Sequence, residues 1–121
     1  MNTLFKSVVL FCAIVLFSNC SKDKTEELTE NLECDAVISF SEDVLPLISV
    51  NCSTSGCHGG GSGAAGYVLT NYDNINQHKT IILQTMQHVS GVTPMPLGQS
   101  KLPNESINIV ACWIEQGAPN N

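Results

Sequence analysis

The chain contains no arginine: its Lys+Arg total of 5 is met by Lys6, Lys22, Lys24, Lys79 and Lys101, against 11 acidic residues and a formal net charge of -6. With no basic face to track a phosphate backbone, nucleic-acid binding is excluded as a working class. Aromatic residues make up only 6%, which leaves little for a sugar-stacking platform. No apolar run approaches the roughly 20 residues of a permanent membrane span. The glycine-rich stretch from Gly59 to Gly66 lacks the Lys-Ser/Thr ending of a phosphate loop.

What is present begins with an export signal. Lys6 precedes the apolar run Val8 to Phe17, and Ser18-Asn19-Cys20 follows. This reads as a lipoprotein signal peptide over residues 1–19, with Cys20 becoming the lipidated first residue. An ordinary cleaved signal that leaves Cys20 free is the alternative. Cys20-Ser21-Lys22-Asp23 resembles the start of many exported lipoproteins of Bacteroidota. Residues 20–35 carry Asp23, Glu26, Glu27, Glu30, Glu33 and Asp35 against Lys22 and Lys24, a solvated acidic tether. The expected location is a bacterial membrane, periplasmic or cell-surface side, held by acyl chains that each contribute about 0.8 kcal/mol per buried methylene.

Residues 36–121 remain for one small domain, marginal without a cofactor or cross-links, which fits a chain with 6 cysteines. The stretch Cys52-Ser53-Thr54-Ser55-Gly56-Cys57-His58 places two thiols and an imidazole in one short loop. It reads as a covalent haem attachment site: each cysteine adds to a haem vinyl group, and the histidine beside the second reaches the iron. The spacing is C-x4-C-H rather than C-x-x-C-H, so Ser55 and Gly56 must let the loop bulge. Two other chemistries use these residue types. One is a Cys52 to Cys57 disulfide, and the other is a zinc site that recruits His78 or His88. The glycines after His58 suggest backbone passing close to a flat bulky group, or else a flexible linker.

Around this loop the pattern is helical. Ser41 reads as an N-cap with Glu42 and Asp43 in the first turn, and Val44, Leu45, Ile48 and Cys52 follow at helical spacing, with Pro46 tolerated if the helix begins near Leu45. Asn71 caps one or two helices over residues 72–88, with an apolar stripe of Ile75, Ile82, Met86 and Val89. Thr93-Pro94-Met95-Pro96-Leu97 is a stiff loop that can hold one thioether in place, as an axial ligand requires; a gap-filling core methionine is the bland alternative. A last helix runs from Pro103 or Asn104 to Gln116, with Ile107, Val110, Ala111 and Ile114 on one face, Trp113 off its centre against the first helix, and Gly117 as the stop. With Cys12 in the leader, Cys20 lipidated and Cys52 and Cys57 on haem, Cys34 and Cys112 remain, either as a disulfide pinning the domain's entry to its last helix or as two buried thiols.

Residues 40–121 resemble small single-haem class I cytochromes c, in particular the short lipoprotein cytochrome c domains of Bacteroidota. The resemblance rests on Cys52 through His58, Leu69-Thr70-Asn71-Tyr72-Asp73, Thr93-Pro94-Met95-Pro96 and the ending from Trp113 to Asn121. It implies an all-α fold of three to four short helices around haem c, thioethers at Cys52 and Cys57, His58 as proximal ligand and Met95 as distal ligand. In the absence of arginine the haem propionates would be met by backbone amides, Lys79, Lys101, Tyr67, Tyr72 or Trp113. The implied function is single-electron transfer with redox protein partners rather than enzymatic catalysis. Two rivals remain: a haem sensor or small redox enzyme with an open distal site served by His78 or His88, and a haem-free surface module stapled by disulfides or zinc.

Overall fold

Phe40, Trp113 and Tyr72 form the aromatic centre about which the helices assemble. Phe40 meets the Tyr72 ring edge-on at 5.1 Å, and Trp113 lies 5.6 Å from Phe40 and 6.4 Å from Tyr72. The computed structural model describes Leu32 and residues 34–121. The expected signal peptide, the expected lipidation site at Cys20 and all but the end of the expected tether lie outside the described residues. Among those described, the secondary structure is entirely helical, and no helix is long and apolar enough to cross a membrane.

A π-helical turn, Phe40–Val44, runs directly into helix α1, Leu45–Asn51. Pro46 falls in the first turn of α1, where its missing N–H is harmless. The cap is Ser39 and not Ser41: Ser39 Oγ accepts from the Glu42 N–H at 3.3 Å, and Asp43 Oδ2 reaches back to the Ser39 N–H at 2.8 Å. The N–H of Ser41 donates instead to the Asn121 carbonyl at 2.9 Å. Helix α2, Tyr72–Gln87, is one continuous helix capped by Asn71, whose Oδ1 accepts from the Asn74 N–H at 3.0 Å. Helix α3, Asn104–Glu115, packs against both α2 and the π-turn.

The C-terminus of α3 closes in a Schellman arrangement: the Ala118 N–H bonds the Trp113 carbonyl at 2.8 Å and the Gly117 N–H bonds that of Ile114 at 3.0 Å. Gly117 takes the positive φ of 92° that this ending requires. The turn brings Trp113 to the middle of the core, 0% exposed, rather than to the edge that the Ile107/Val110/Ala111/Ile114 stripe implies; Ile114 is only half-buried. Bulk explains the difference, because burying the indole removes the largest apolar surface on the helix from water. Val44, Ile48, Leu69, Ile75, Ile82, Met86, Ile107 and Val110 complete the core.

Three sets of contacts sew the entering stretch of chain to the end of α3. A disulfide joins Cys34 to Cys112, Cα atoms 5.4 Å apart across a sequence separation of 78. The loop-entropy account gives such a closure about 4.5 kcal/mol. The Gln116 amide accepts from the Ile38 N–H and donates to the Ala36 carbonyl, and Asn121 Oδ1 accepts from the Phe40 N–H at 2.8 Å. The domain entry is therefore held far along the chain from Cys52 and Cys57, which stay out of the cross-link.

Candidate functional site

The loop from Cys52 to Leu69 grows out of the last turn of α1. The Cys52 N–H continues the helix ladder to the Ile48 carbonyl at 2.8 Å, so the first thiol has a fixed base. The two residues that widen the cysteine spacing have a specific place. Thr54 to Cys57 is a β-turn closed by Cys57 N–H to Thr54 C=O at 3.0 Å, with Ser55 and Gly56 as its central pair. Gly56 adopts φ 83°, the sign its position in a type II turn demands. The His58 N–H then returns to the Cys52 carbonyl at 3.1 Å, which brings the chain back beside its starting cysteine.

His58 is held by both its backbone and its ring. Its carbonyl accepts from the Leu69 N–H at 2.9 Å, and its Nδ1–H donates to the Tyr67 carbonyl at 2.9 Å. That bond selects the tautomer with the proton on Nδ1, which puts the lone pair on Nε2, the nitrogen a metal would take. Ser53 Oγ donates to the Leu69 carbonyl and ties the start of the loop to its end.

The glycines serve the chain's own backbone. A Cβ on Gly59 would lie 2.1 Å from the Ser53 carbonyl oxygen, and one on Gly63, at φ 63°, would lie 2.0 Å from that of Tyr67. Gly60, Gly61 and Gly66 have nothing within 4 Å. Loop closure therefore requires glycine at Gly59 and Gly63.

Cys52 and Cys57 are both free thiols, Cys57 exposed and Cys52 half-buried. Burial pushes the Cys52 thiol up to about 11, and charge on Cys57 adds to the effect. In haem-free protein the unfolded chain ionises this thiol near its ordinary value of 9.0, and the folded chain does so only near 11. Its contribution, on the order of 3 kcal/mol, is complete below about pH 9 and lost as pH rises toward 11. Urea midpoints measured from pH 8 to 11 should therefore fall more steeply for the wild type than for Cys52→Ser.

Met95, half-buried, donates its N–H to the Thr85 carbonyl at 3.0 Å and accepts at its own carbonyl from His88 Nε2–H at 3.2 Å. His78 packs edge-on against Tyr67 at 4.8 Å, and the Tyr67 ring in turn meets His58 at 6.3 Å. Among the described residues no three His, Cys, Asp or Glu side chains group so as to hold a metal ion, so Cys52, Cys57, His58 and either distant histidine do not form a zinc cluster. Two expected propionate partners are already engaged: Tyr72 Oη donates to the Ala118 carbonyl and Trp113 Nε1 to that of Pro119, each at 2.9 Å. Lys79 Nζ donates to the backbone and side-chain oxygens of Asn76. Lys101 is exposed. Sequence reasoning misses the Tyr67 carbonyl as the acceptor for His58 and the bond from His88 to Met95, because a carbonyl partner leaves no mark in residue identity.

Comparison with protein-family models, with curated proteins and with solved structures finds no match.

Proposed function

We propose that this chain is an exported, lipid-anchored c-type cytochrome that carries single electrons. The observation that carries the reading is the 2.9 Å bond from His58 Nδ1–H to the Tyr67 carbonyl, because it orients an imidazole with Nε2 as its acceptor nitrogen, directly beside two unpaired thiols. A Cys52 to Cys57 disulfide would leave no thiol to form a thioether, and both thiols are free.

The donor set fits haem c. Cys52 and Cys57 would form the thioethers, His58 the proximal bond through Nε2 and Met95 the distal bond through its sulfur. When bound, the haem supplies an iron that changes its oxidation state by one electron, at a potential raised by a sulfur ligand and by burial. The chain's own tasks are to fix the two axial side chains and to exclude water. His58 is held by Tyr67 and Leu69, and the Met95 backbone is held by Thr85 and His88. Were His58 and Met95 both to hold the iron, no position would remain for a substrate, which favours an electron carrier over an enzyme or gas sensor. Its partners are other redox proteins at the membrane surface, reached through the acyl chains on Cys20.

Carbon monoxide separates carrier from sensor. The reduced wild-type protein should take it up poorly, and Met95→Ala should take it up at least tenfold more tightly. Equal, tight binding by both would overturn the assignment of Met95 as distal ligand.

A further inference from the structure

His88 ends α2 in the left-handed conformation, φ 58° and ψ 40°. This is the helix-end position at which glycine is usual, because an L-residue is strained there and glycine is not. The local hydrogen bonds do not ask for a histidine. The His88 N–H reaches the Gln84 and Thr85 carbonyls, and the Val89 N–H reaches that of Gln84 at 3.1 Å; a glycine would make the same bonds. What a glycine could not do is reach across the following loop. The His88 ring does, donating from Nε2 to the Met95 carbonyl at 3.2 Å.

The other tie on this methionine comes from the same helical turn. The Met95 N–H donates to the Thr85 carbonyl at 3.0 Å, and Pro94 and Pro96 on either side have no N–H to offer. Both backbone polar groups of Met95 are thus bonded to the last turn of α2. That turn is itself rooted by Met86, 1% exposed. The Met95 backbone is therefore fixed twice over.

We propose that His88 is a positioning residue for the distal ligand: it holds the Met95 backbone at the height from which the sulfur meets the iron. The proposal rests on the reading above that Met95 is that ligand. The bond to Met95 makes Nε2 the donor of the ring and leaves Nδ1 as its acceptor nitrogen. The contact with Met95 is one that the glycine usual at this helix-end position could not make.

The test uses the full chain matured in a host that attaches haem c, with the wild type, His88→Gly, His88→Gln and Met95→Ala compared. The readouts are the methionine-to-iron charge-transfer band of the oxidised protein and carbon monoxide affinity of the reduced protein. His88→Gly removes the donor and relieves the backbone, so it should melt no lower than wild type. Its charge-transfer band should nevertheless weaken, and its carbon monoxide affinity should rise roughly five- to tenfold, the factor that one lost hydrogen bond represents. His88→Gln, whose side-chain amide restores a donor at similar reach, should recover most of the band. A His88→Gly protein with full band intensity and carbon monoxide affinity within twofold of wild type, while Met95→Ala abolishes the band, would overturn the positioning role alone. Identical behaviour of the Gly and Gln variants would overturn it as well. A wild type without the band, or a band indifferent to Met95→Ala, would instead remove the Met95 assignment and the His88 role with it.

Discussion

Replacing Trp113 with alanine should destabilise the domain by about 3–5 kcal/mol, the usual cost of emptying a large buried aromatic site. The indole is 0% exposed, contacts the rings of Phe40 and Tyr72, and donates Nε1–H to the Pro119 carbonyl at 2.9 Å. The cavity would open where α3 packs on the π-turn, and the Pro119 carbonyl would lose its partner. Domains of this size are stable by about 5–15 kcal/mol and usually sit toward the lower end. At about 4–8 °C per kcal/mol, the melting temperature should fall by roughly 12–40 °C. Leu97→Ala, at a side chain 70% exposed, should change stability by less than about 0.5 kcal/mol. Equal losses for the two variants, followed by circular dichroism, would mean that the core does not lie where the structure puts it.

The second large effect is expected at Gly63, and it acts on the site rather than the core. A methyl group there would be 2.0 Å from the Tyr67 carbonyl oxygen, 2.5 Å from its carbon and 3.0 Å from the Val68 nitrogen. Those atoms are backbone and cannot swing aside. The positive φ of 63° adds strain for any L-residue. Gly63→Ala should therefore push the Tyr67 carbonyl off His58 Nδ1 and free the imidazole to rotate, at a local cost of about 2–4 kcal/mol. Gly60→Ala, with nothing within 4 Å, is the control. Proton NMR of the haem-free protein supplies the readout: the His58 ring N–H should exchange at least tenfold faster in Gly63→Ala and at a near wild-type rate in Gly60→Ala. Equal exchange in the three proteins would show that the tight approach at Gly63 does not govern the histidine.

How much of this is legible in the residues depends on whether the determinant is a side chain or a backbone atom. Helical periodicity and the Asn71 cap are properties of side-chain type, and they place α2 and α3 within a residue or two. The first cap is Ser39 where the pattern points to Ser41, because both are serines with acids following. What marks Ser39 as the cap is its Oγ accepting the Glu42 N–H, while the Ser41 N–H goes to the Asn121 carbonyl, a contact across almost the whole domain. Stripe counting puts Trp113 at the edge of its helix because it weights every apolar residue alike, whereas packing puts the largest ring at the centre. Cys34 and Cys112 can be singled out only by setting the other cysteines aside, and nothing in their spacing of 78 indicates a bridge. The glycine run illustrates the same limit. Five positions look equivalent in sequence, yet Gly59 and Gly63 alone face backbone oxygens and Gly60, Gly61 and Gly66 face open space.

In the Cys52 to His58 loop, the donor types can be read in Cys52, Cys57 and His58, but the geometry that orients them cannot. The unusual cysteine spacing becomes a β-turn with Gly56 at its positive-φ position, and the histidine's proton is placed by a carbonyl that no residue type announces. His88 is visible in the sequence only as a spare histidine. Its bond to Met95 depends on a left-handed backbone that sequence patterns assign to glycine.

The measurement that tests the central claim most directly is a reduced pyridine haemochrome spectrum of the full chain, exported in a host that matures c-type cytochromes and then denatured. A c-type band that stays with the polypeptide, and disappears in the Cys52→Ser, Cys57→Ser double variant, is the expected result. A wild-type chain that retains no haem after denaturation, with Cys52 and Cys57 still available to a thiol reagent, would contradict it.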